Sequence, residues 1–568
     1  MPTLDWMGKD KVVDYYHQVP YRMLELVPDK GVLDSHGSDC GNMVIHGDNL
    51  EALKALLPEY EGRVDCIYID PPYNTGEEKW VYNDNVNDPR IQQWIGQVVG
   101  TEGQDLTRHD KWLCMMYPRL RLLKELLSDE GFIAVSINDV EVSNLGLLLD
   151  EIFGTGNRLA CAPWRAEKSG GKEKTALRTG HEYIYFYQKT DRCRIALEEK
   201  STGKLDLKDK FGKYRKGREL RKWGATSDRT DRPNGWFGIK APDGSIAWPY
   251  KNDGTEGYWR WTKSKKEMQN LLRDPEYAHW EMAPYDEGVA VNGQTERWVP
   301  YEKVRDEKKS FGWNTWLDGY GTNSDATAEL KALFGSKLFD TPKPISLVKW
   351  IVSLAYDDDA IFLDSFAGSG TTAHAVLELN GEDEGLRRFI LIEMMDYADT
   401  ITAERIRRAI AGYDNLSPKK SKNAPSHFDA LGGGFSFYEL GPALFVDDAP
   451  SDASYRLITG SHNGADNELD PTIPRLDVMR YVWYTETKAR FEDRTDEHPY
   501  LMGEIGGVAY YFAWEPDGET TLDYELLAQL PVRGETTVIY ADRCVLDDGA
   551  LNAMNVRYKQ IPREIARM

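Results

Sequence analysis

The tetrapeptide Asp70-Pro71-Pro72-Tyr73 follows directly on the apolar run Val64 to Ile69. Two consecutive prolines stiffen the backbone and remove two N–H donors, so the segment presents carbonyls and a carboxylate. That set of acceptors suits a substrate –NH2 group. Asp70 and the Pro71 carbonyl can each take one amine hydrogen, drawing the nitrogen lone pair out of conjugation with its ring. Tyr73 is placed to stack on that ring, a task for its π face and not for its hydroxyl. The same four residues also read as a rigid strand-to-loop turn with a capping aspartate.

A second set lies far downstream. Asp364 precedes Phe366-Ala-Gly-Ser-Gly-Thr371, and Thr372 follows it. Gly368 and Gly370 let the backbone approach a ligand and offer N–H groups at the positive end of a helix. No lysine precedes the threonines, which disfavours a Walker-type NTPase loop. Glu393 closes the next apolar run, twenty-three residues after Gly370. A carboxylate meets a ribose diol at that place in nucleotide-binding βαβ units, although a solvated strand-end acid has the same pattern. Asp48, after Gly47, ends another apolar run; it faces a cofactor adenine, caps the helix that follows, or does both.

These groups need strands to carry them. Met43 to His46, Val64 to Ile69, Phe132 to Ile137, Ala360 to Leu363 and Phe389 to Glu393 read as short buried strands. Between them Leu50, Leu53 and Leu57, then Leu120, Leu123 and Leu127, then Val142, Leu145, Leu149 and Ile152 fall at helical spacing. Further helices are expected from Ala373 to Leu379 and from Ala403 to Ile410. Strands alternating with helices predict an α/β fold with a parallel, doubly wound sheet. Ligands of such sheets bind beyond the carboxyl ends of strands, where all the groups above are placed.

The chain of 568 residues is too long for one core. Its net charge of -23 argues against a protein that coats nucleic acid unspecifically. Charge is segregated, however. Residues 201–240 carry twelve Lys and Arg against five Asp and Glu, and residues 441–568 carry twelve against twenty-three. Nine of the seventeen tryptophans fall between Trp223 and Trp316. The six cysteines are scattered without a CxxC pair, so neither a disulfide framework nor a zinc site is expected, and no other metal. No apolar run approaches membrane-spanning length and the start lacks a signal-peptide pattern, so the expected location is cytoplasmic, without membrane.

The ordered set resembles the amino-methyltransferases of restriction–modification systems, in the permuted arrangement called the beta class. Asp70-Pro-Pro-Tyr73 matches their catalytic motif and Phe366-Ala-Gly-Ser-Gly-Thr371 their cofactor loop. Thr341-Pro-Lys-Pro344 looks like the segment they place just before that loop. Met115-Met-Tyr-Pro-Arg-Leu120, Phe132 to Asp139, Lys168-Ser-Gly-Gly171 and His181-Glu-Tyr-Ile-Tyr-Phe-Tyr187 look closer still to the modification (Mod) subunits of type III systems. The likeness covers roughly residues 40–190 and 335–412. It implies a Rossmann-like class I methyltransferase core, circularly permuted, using S-adenosylmethionine. Lys343 is then expected to reach the methionine carboxylate. Asp70, where cytosine-N4 enzymes usually carry serine, implies N6 of adenine as target. Double-stranded DNA, a homodimer, and a restriction, helicase or other defence subunit are the implied partners.

The expected plan is an N-terminal extension (1–40), a catalytic half (41–190), an inserted target-recognition domain (191–338), a cofactor half (339–415) and an acidic C-terminal α+β module (426–568), joined through a linker at 417–425. Lys213, Arg215, Lys216, Arg218, Arg221 and Lys222 are the expected phosphate contacts, as a base inside a duplex must be flipped out to be methylated. The rival readings are an N4-cytosine methyltransferase, a base deaminase, whose HxE…PCxxC signature is missing, and a non-catalytic DNA-binding scaffold.

Overall fold

Runs such as Met43-Val-Ile and Phe389-Ile-Leu-Ile392 are apolar on both faces, and a strand of that kind is stable only where helices cover both sides of its sheet. The computed structural model of the protein describes residues 4–75, 108–168, 177, 179–260, 265–306, 308–418, 425–446, 468–531 and 534–566. In it these runs join one nine-stranded sheet. Its strands are β1 (Arg22–Leu26), β2 (Met43–His46), β3 (Val64–Ile69), β4 (Leu127–Ile137), β5 (Arg158–Trp164), β6 (Glu182–Gln188), β7 (Ile361–Asp364), β8 (Arg388–Glu393) and β9 (Ser436–Ala443). The order across the sheet is β1-β9-β2-β8-β7-β3-β4-β6-β5.

The central strands β2, β8, β7, β3 and β4 are mutually parallel, so their carboxyl ends share one edge. The late strands β7 and β8 fill the space between the early strands β2 and β3, which is the permutation expressed in three dimensions. From β7 the chain crosses to β8 on one side, and from β3 to β4 on the other. The crevice between β7 and β3 is therefore the topological switch point, where ligands of open α/β sheets bind.

Helices α1 (Asn49–Tyr60), α2 (Arg108–Leu126) and α3 (Val142–Phe153) pack in succession, as do α5 (Ile345–Val352), α6 (Thr371–Asp383) and α7 (Glu404–Ala411); α4 (Asn323–Phe334) precedes α5. Leu53, Leu57, Trp112, Leu120, Leu123, Leu145 and Leu149 pack with Ile67, Ile133 and Leu363 in one core.

The structure departs from the sequence reading in several places. β4 begins at Leu127 and not at Phe132, and a π-helical turn, Ala398–Ala403, leads into α7. β1 and β9 had no expected counterpart; β9 pairs in parallel with β2 and β1 closes that edge antiparallel. Residues 22–26 and 436–443 thus belong to the main sheet, not to a separate extension or module. The chain separates into Met1–Ala196 with Asn314–Met568, and Leu197–Trp313, so the insertion is shorter at both ends than 191–338. Ser169 to Gly171 and residues 419–424 of the linker lie outside the described residues.

The second unit holds an antiparallel sheet of the strands at 278–284, 296–304, 212–219 and 207–209. Its small core contains Leu220, Ile239, Trp259, Met268, Leu272 and Ala278. Near the C-terminus the strands at 501–505, 508–512, 536–541 and 556–560 form a mixed sheet beside helix Arg475–Thr487. Among the described residues no helix is long and apolar enough to cross a membrane.

Candidate active site at the carboxyl edge of the sheet

β3 runs straight into Asp70, which is therefore fixed at the switch point. The Trp112 indole N–H donates to the Pro72 carbonyl at 2.6 Å. That occupies one acceptor of the turn, while no donor of the described residues reaches the Pro71 carbonyl. The following residue, Asn74, sits in the left-handed region at φ 58 and hydrogen-bonds the fully buried Glu141. Glu141 also receives the Asn144 amide at 2.7 Å and lies 2.7 Å from His109 Nδ1. The far end of the turn is held as firmly as its start.

Lys343 lies on Asp70, with Nζ 2.8 Å from Oδ1 and 2.7 Å from Oδ2. The Tyr73 hydroxyl is 2.8 Å from Asp70 Oδ1 and 3.0 Å from Glu182 Oε2. Glu182, at the start of β6, lies 3.5 Å from Lys343 Nζ and accepts from the Asn323 amide at 3.2 Å. The ammonium also stands 4.8 Å from the Tyr73 ring centroid. Burial pulls the Lys343 pKa down, but Asp70 and Glu182 outweigh it and hold the ammonium above its ordinary range. Lys343, the residue expected to reach a cofactor carboxylate, is held here on Asp70, the nearest negative charge to a buried ammonium.

Across the crevice the glycine loop is braced from within. Asp364 Oδ1 accepts from the Phe366 N–H at 3.0 Å, and Oδ2 from the Thr372 hydroxyl at 2.6 Å. Burial raises the Asp364 carboxyl to about 7, against the pull of those two bonds. The Gly368 N–H donates to Glu393 Oε2 at 2.8 Å, and the Met395 N–H to Oε1 at 2.9 Å. Gly370 has φ 78, and a Cβ there would stand 2.9 Å from the Thr402 carbonyl, so no other residue fits this close approach. Buried Arg405 donates to Ser369 Oγ at 3.0 Å and Thr371 Oγ1 at 2.8 Å. Thr371 Oγ1 in turn lies 3.3 Å from the Lys343 carbonyl, tying the loop to the lysine's own backbone.

At the end of β2, Asp48 caps α1 through the Leu50 N–H at 2.8 Å. Its side chain stays 34% exposed, so it can face a ligand while capping. Buried Arg119 reaches Asp48 Oδ2 at 3.4 Å and also holds Asn49, whose amide donates to the Ser365 carbonyl at 3.1 Å. Arg119 and Asn49 thus link the first half of the chain to the glycine loop of the second.

The structure gathers Asp48, Asp70, Pro71, Pro72, Tyr73, Lys343, Asp364, Phe366, Gly368, Gly370, Thr371, Thr372 and Glu393 along one edge of one sheet. Glu182, Arg119, Trp112 and Arg405 are additions that the sequence reading missed. Glu182 and Arg119 sit inside segments already noted for their resemblance, the only signal that marked them.

The expected phosphate contacts divide. Lys213 and Arg218 are exposed on the strand at 212–219. Lys216 is paired with Glu281 at 2.6 Å, and Arg215 is half-buried with Nη1 3.4 Å from the Lys216 carbonyl. Lys222 is half-buried. Arg221 is 7% exposed and holds Glu219 at 2.7 and 3.2 Å. It is an internal ion pair, its charge already neutralised, and not a surface contact.

A family model described as DNA methylase matches residues 64–404, which spans every group of this edge from Asp70 to Glu393. The chain belongs to the DNA methylase family. The chain is 33% identical over 436 residues to the type III restriction-modification enzyme EcoPI Mod subunit of Escherichia phage P1, covering 69% of this chain and 63% of that one. It is 34% identical over 398 residues to the StyLTI Mod subunit of Salmonella typhimurium, covering 65% and 57%. With the type II methyltransferase M.KpnI of Klebsiella pneumoniae it shares 33% identity over 359 residues, covering 61% and 79%. The chain thus spans 63% and 57% of the length of the two Mod subunits.

Proposed function

We propose that this chain transfers a methyl group from S-adenosylmethionine to the exocyclic N6 of a flipped-out adenine in double-stranded DNA, at sites of defined sequence, within a restriction–modification or phage-defence system of the type III kind. The observation that carries the reading is the Asp70 carboxylate beside the Pro71 carbonyl at the end of β3, across the switch point from the glycine loop. Membership of the DNA methylase family and the likeness to Mod subunits support it.

The residues fit the methyl donor. Glu393 closes β8 and holds the Gly368 and Met395 N–H groups, at the place where a carboxylate meets a ribose diol in nucleotide-binding βαβ units. Asp48 is partly exposed at the neighbouring strand end, Phe366 offers an apolar face, and Asp364 braces the loop between them. The bound sulfonium supplies an already activated methyl group, so no covalent enzyme intermediate is needed. What the chain does is position and polarise. Asp70 and the Pro71 carbonyl accept the two amine hydrogens and localise the nitrogen lone pair, and Tyr73 stacks on the extruded base. Asp70, rather than serine, favours adenine over cytosine. Lys213 and Arg218 are the foremost candidates for phosphate contact; a homodimer and a restriction or helicase subunit are the partners that the Mod likeness suggests.

The test is to incubate the protein with labelled S-adenosylmethionine and genomic DNA lacking adenine methylation, then to analyse nucleosides by mass spectrometry. N6-methyladenine at sites sharing a sequence is the expected result. N4-methylcytosine would overturn the base assignment, and no methylated nucleoside would sink the activity. Asp70→Ala should slow transfer by about 10³-fold with cofactor affinity nearly unchanged.

A further inference from the structure

The acceptor role of Asp70 meets an obstacle. Both of its oxygens hold the Lys343 ammonium, at 2.8 and 2.7 Å, and Oδ1 also lies against the Tyr73 hydroxyl. Three of its roughly four lone-pair sites are thus taken, and an ammonium held on both oxygens competes with the amine for the charge that would polarise it. The Lys343 side chain is only 5% exposed, and an ammonium buried that deeply does not stay charged without a counter-ion. Among the described residues one other carboxylate lies within 4 Å of it, that of Glu182, at 3.5 Å. Glu182 is itself only 15% exposed, and its other oxygen is oriented by Asn323 at 3.2 Å.

We infer that Glu182 is a positioning residue that receives Lys343 from Asp70 when the target amine arrives. The hand-off keeps the ammonium neutralised while Asp70 turns its acceptors to the amine. No bond is made or broken; one ion pair is exchanged for another over a shift of under one ångström. The inference rests on the methyl-transfer reading above and deepens it.

The charged groups facing Lys343 are Asp70 and Glu182, with the Tyr73 hydroxyl between them and Tyr68 and Asp364 around Asp70. Burial pushes both Tyr73 and Tyr68 well above the ordinary phenol range, so neither ionises near neutrality. In Glu182→Gln, Lys343 keeps one carboxylate instead of two. It stays locked on Asp70 at neutral pH but loses its proton more readily as pH rises, which frees Asp70.

Single-turnover transfer to duplex DNA is measured for wild type, Glu182→Gln and Glu182→Asp from pH 6.5 to 9.5, with cofactor affinity and melting temperature as controls. Glu182→Gln should be about 100-fold slower at pH 7 and recover at least about tenfold by pH 9.5, where wild type is flat. Glu182→Asp, which keeps the charge, should stay within about tenfold of wild type. Cofactor affinity should be the same in all three. A Glu182→Gln rate equal to wild type, or a slowing uniform across pH, would overturn the hand-off. So would wild-type transfer by Glu182→Gln with weakened cofactor binding by Lys343→Met, because the lysine would then pass to the methionine carboxylate. If wild type itself transfers no methyl group, both readings fall; if it does and Glu182→Gln matches it, only the hand-off falls.

Discussion

Tyr73 shows how a single residue gains a second duty from its surroundings. Its type and position predict a stacking face, and on that ground alone removing the hydroxyl should be harmless. In the structure the hydroxyl stands between two carboxylates, 2.8 Å from Asp70 and 3.0 Å from Glu182. Hydrogen bonds to charged groups contribute about 1.5–3 kcal/mol. Tyr73→Phe should therefore lower the single-turnover rate by about tenfold or more while DNA affinity holds, whereas Tyr73→Ala should lower both. Rapid-quench rates and fluorescence-anisotropy titrations separate the two; an unchanged Phe variant would return Tyr73 to pure stacking. Asp70 was legible because two prolines advertise an acceptor cluster. Glu182 was not, because one carboxylate at a strand start has no pattern of its own. Only the sheet order β3-β4-β6 brings it to Asp70.

At the scale of elements, the glycine loop rests on a carboxyl that prefers its proton. The Asp364 pKa is raised to about 7 from an ordinary 3.8, chiefly by burial. A carboxyl raised in the fold binds its proton more tightly there than in the unfolded chain. Its favourable contribution is full below about pH 4 and is lost as pH rises to about 7, beyond which the cost is constant. Asp364→Asn keeps a side-chain oxygen for the Phe366 N–H and an amide for the Thr372 hydroxyl, with no charge to bury. The variant should show a flatter melting temperature between pH 5 and 8 and be more stable at pH 8, by at most about 4 kcal/mol. Calorimetry at several pH values checks this; a variant less stable than wild type at pH 8 would refute it. The central strands and helices were readable because apolar runs and 3.6-residue spacing repeat along them. β1 and β9 were not: Arg22-Met-Leu-Glu-Leu26 buries a single residue, and Ser436–Ala443 is mostly half-buried, so neither has a periodicity to detect. They are strands because β2 has an edge to cover.

Over the whole molecule, an acidic chain of net charge -23 carries an exposed basic strand in the unit Leu197–Trp313. Counter-ion release makes DNA affinity fall with salt by about 0.9 logarithmic units per phosphate contact. Replacing both Lys213 and Arg218 with alanine should reduce the slope of log K against log salt by about 2, equally for all DNA sequences. Arg221→Ala should instead lower the melting temperature, since it leaves Glu219 unpaired. Filter binding from 50 to 300 mM salt, beside thermal melts, distinguishes the two outcomes. The order of motifs was legible across some 340 residues, but the limits of the insertion were not, because composition changes near residue 191, between the end of β6 at Gln188 and the start of the second unit at Leu197. The placement of β7 and β8 between β2 and β3 also bears on how the protein is born. Roughly 290 residues separate Ile69 from Ile361, which at translation rates of about 5–20 residues per second is a delay of about 15 to 60 seconds. Throughout that interval the nascent chain holds two strands whose facing edges have nothing to pair with, a sticky intermediate of the kind that chaperones shield. It also holds Asp70 without a glycine loop, so the two sides of the site meet only once residues 361–393 have been made.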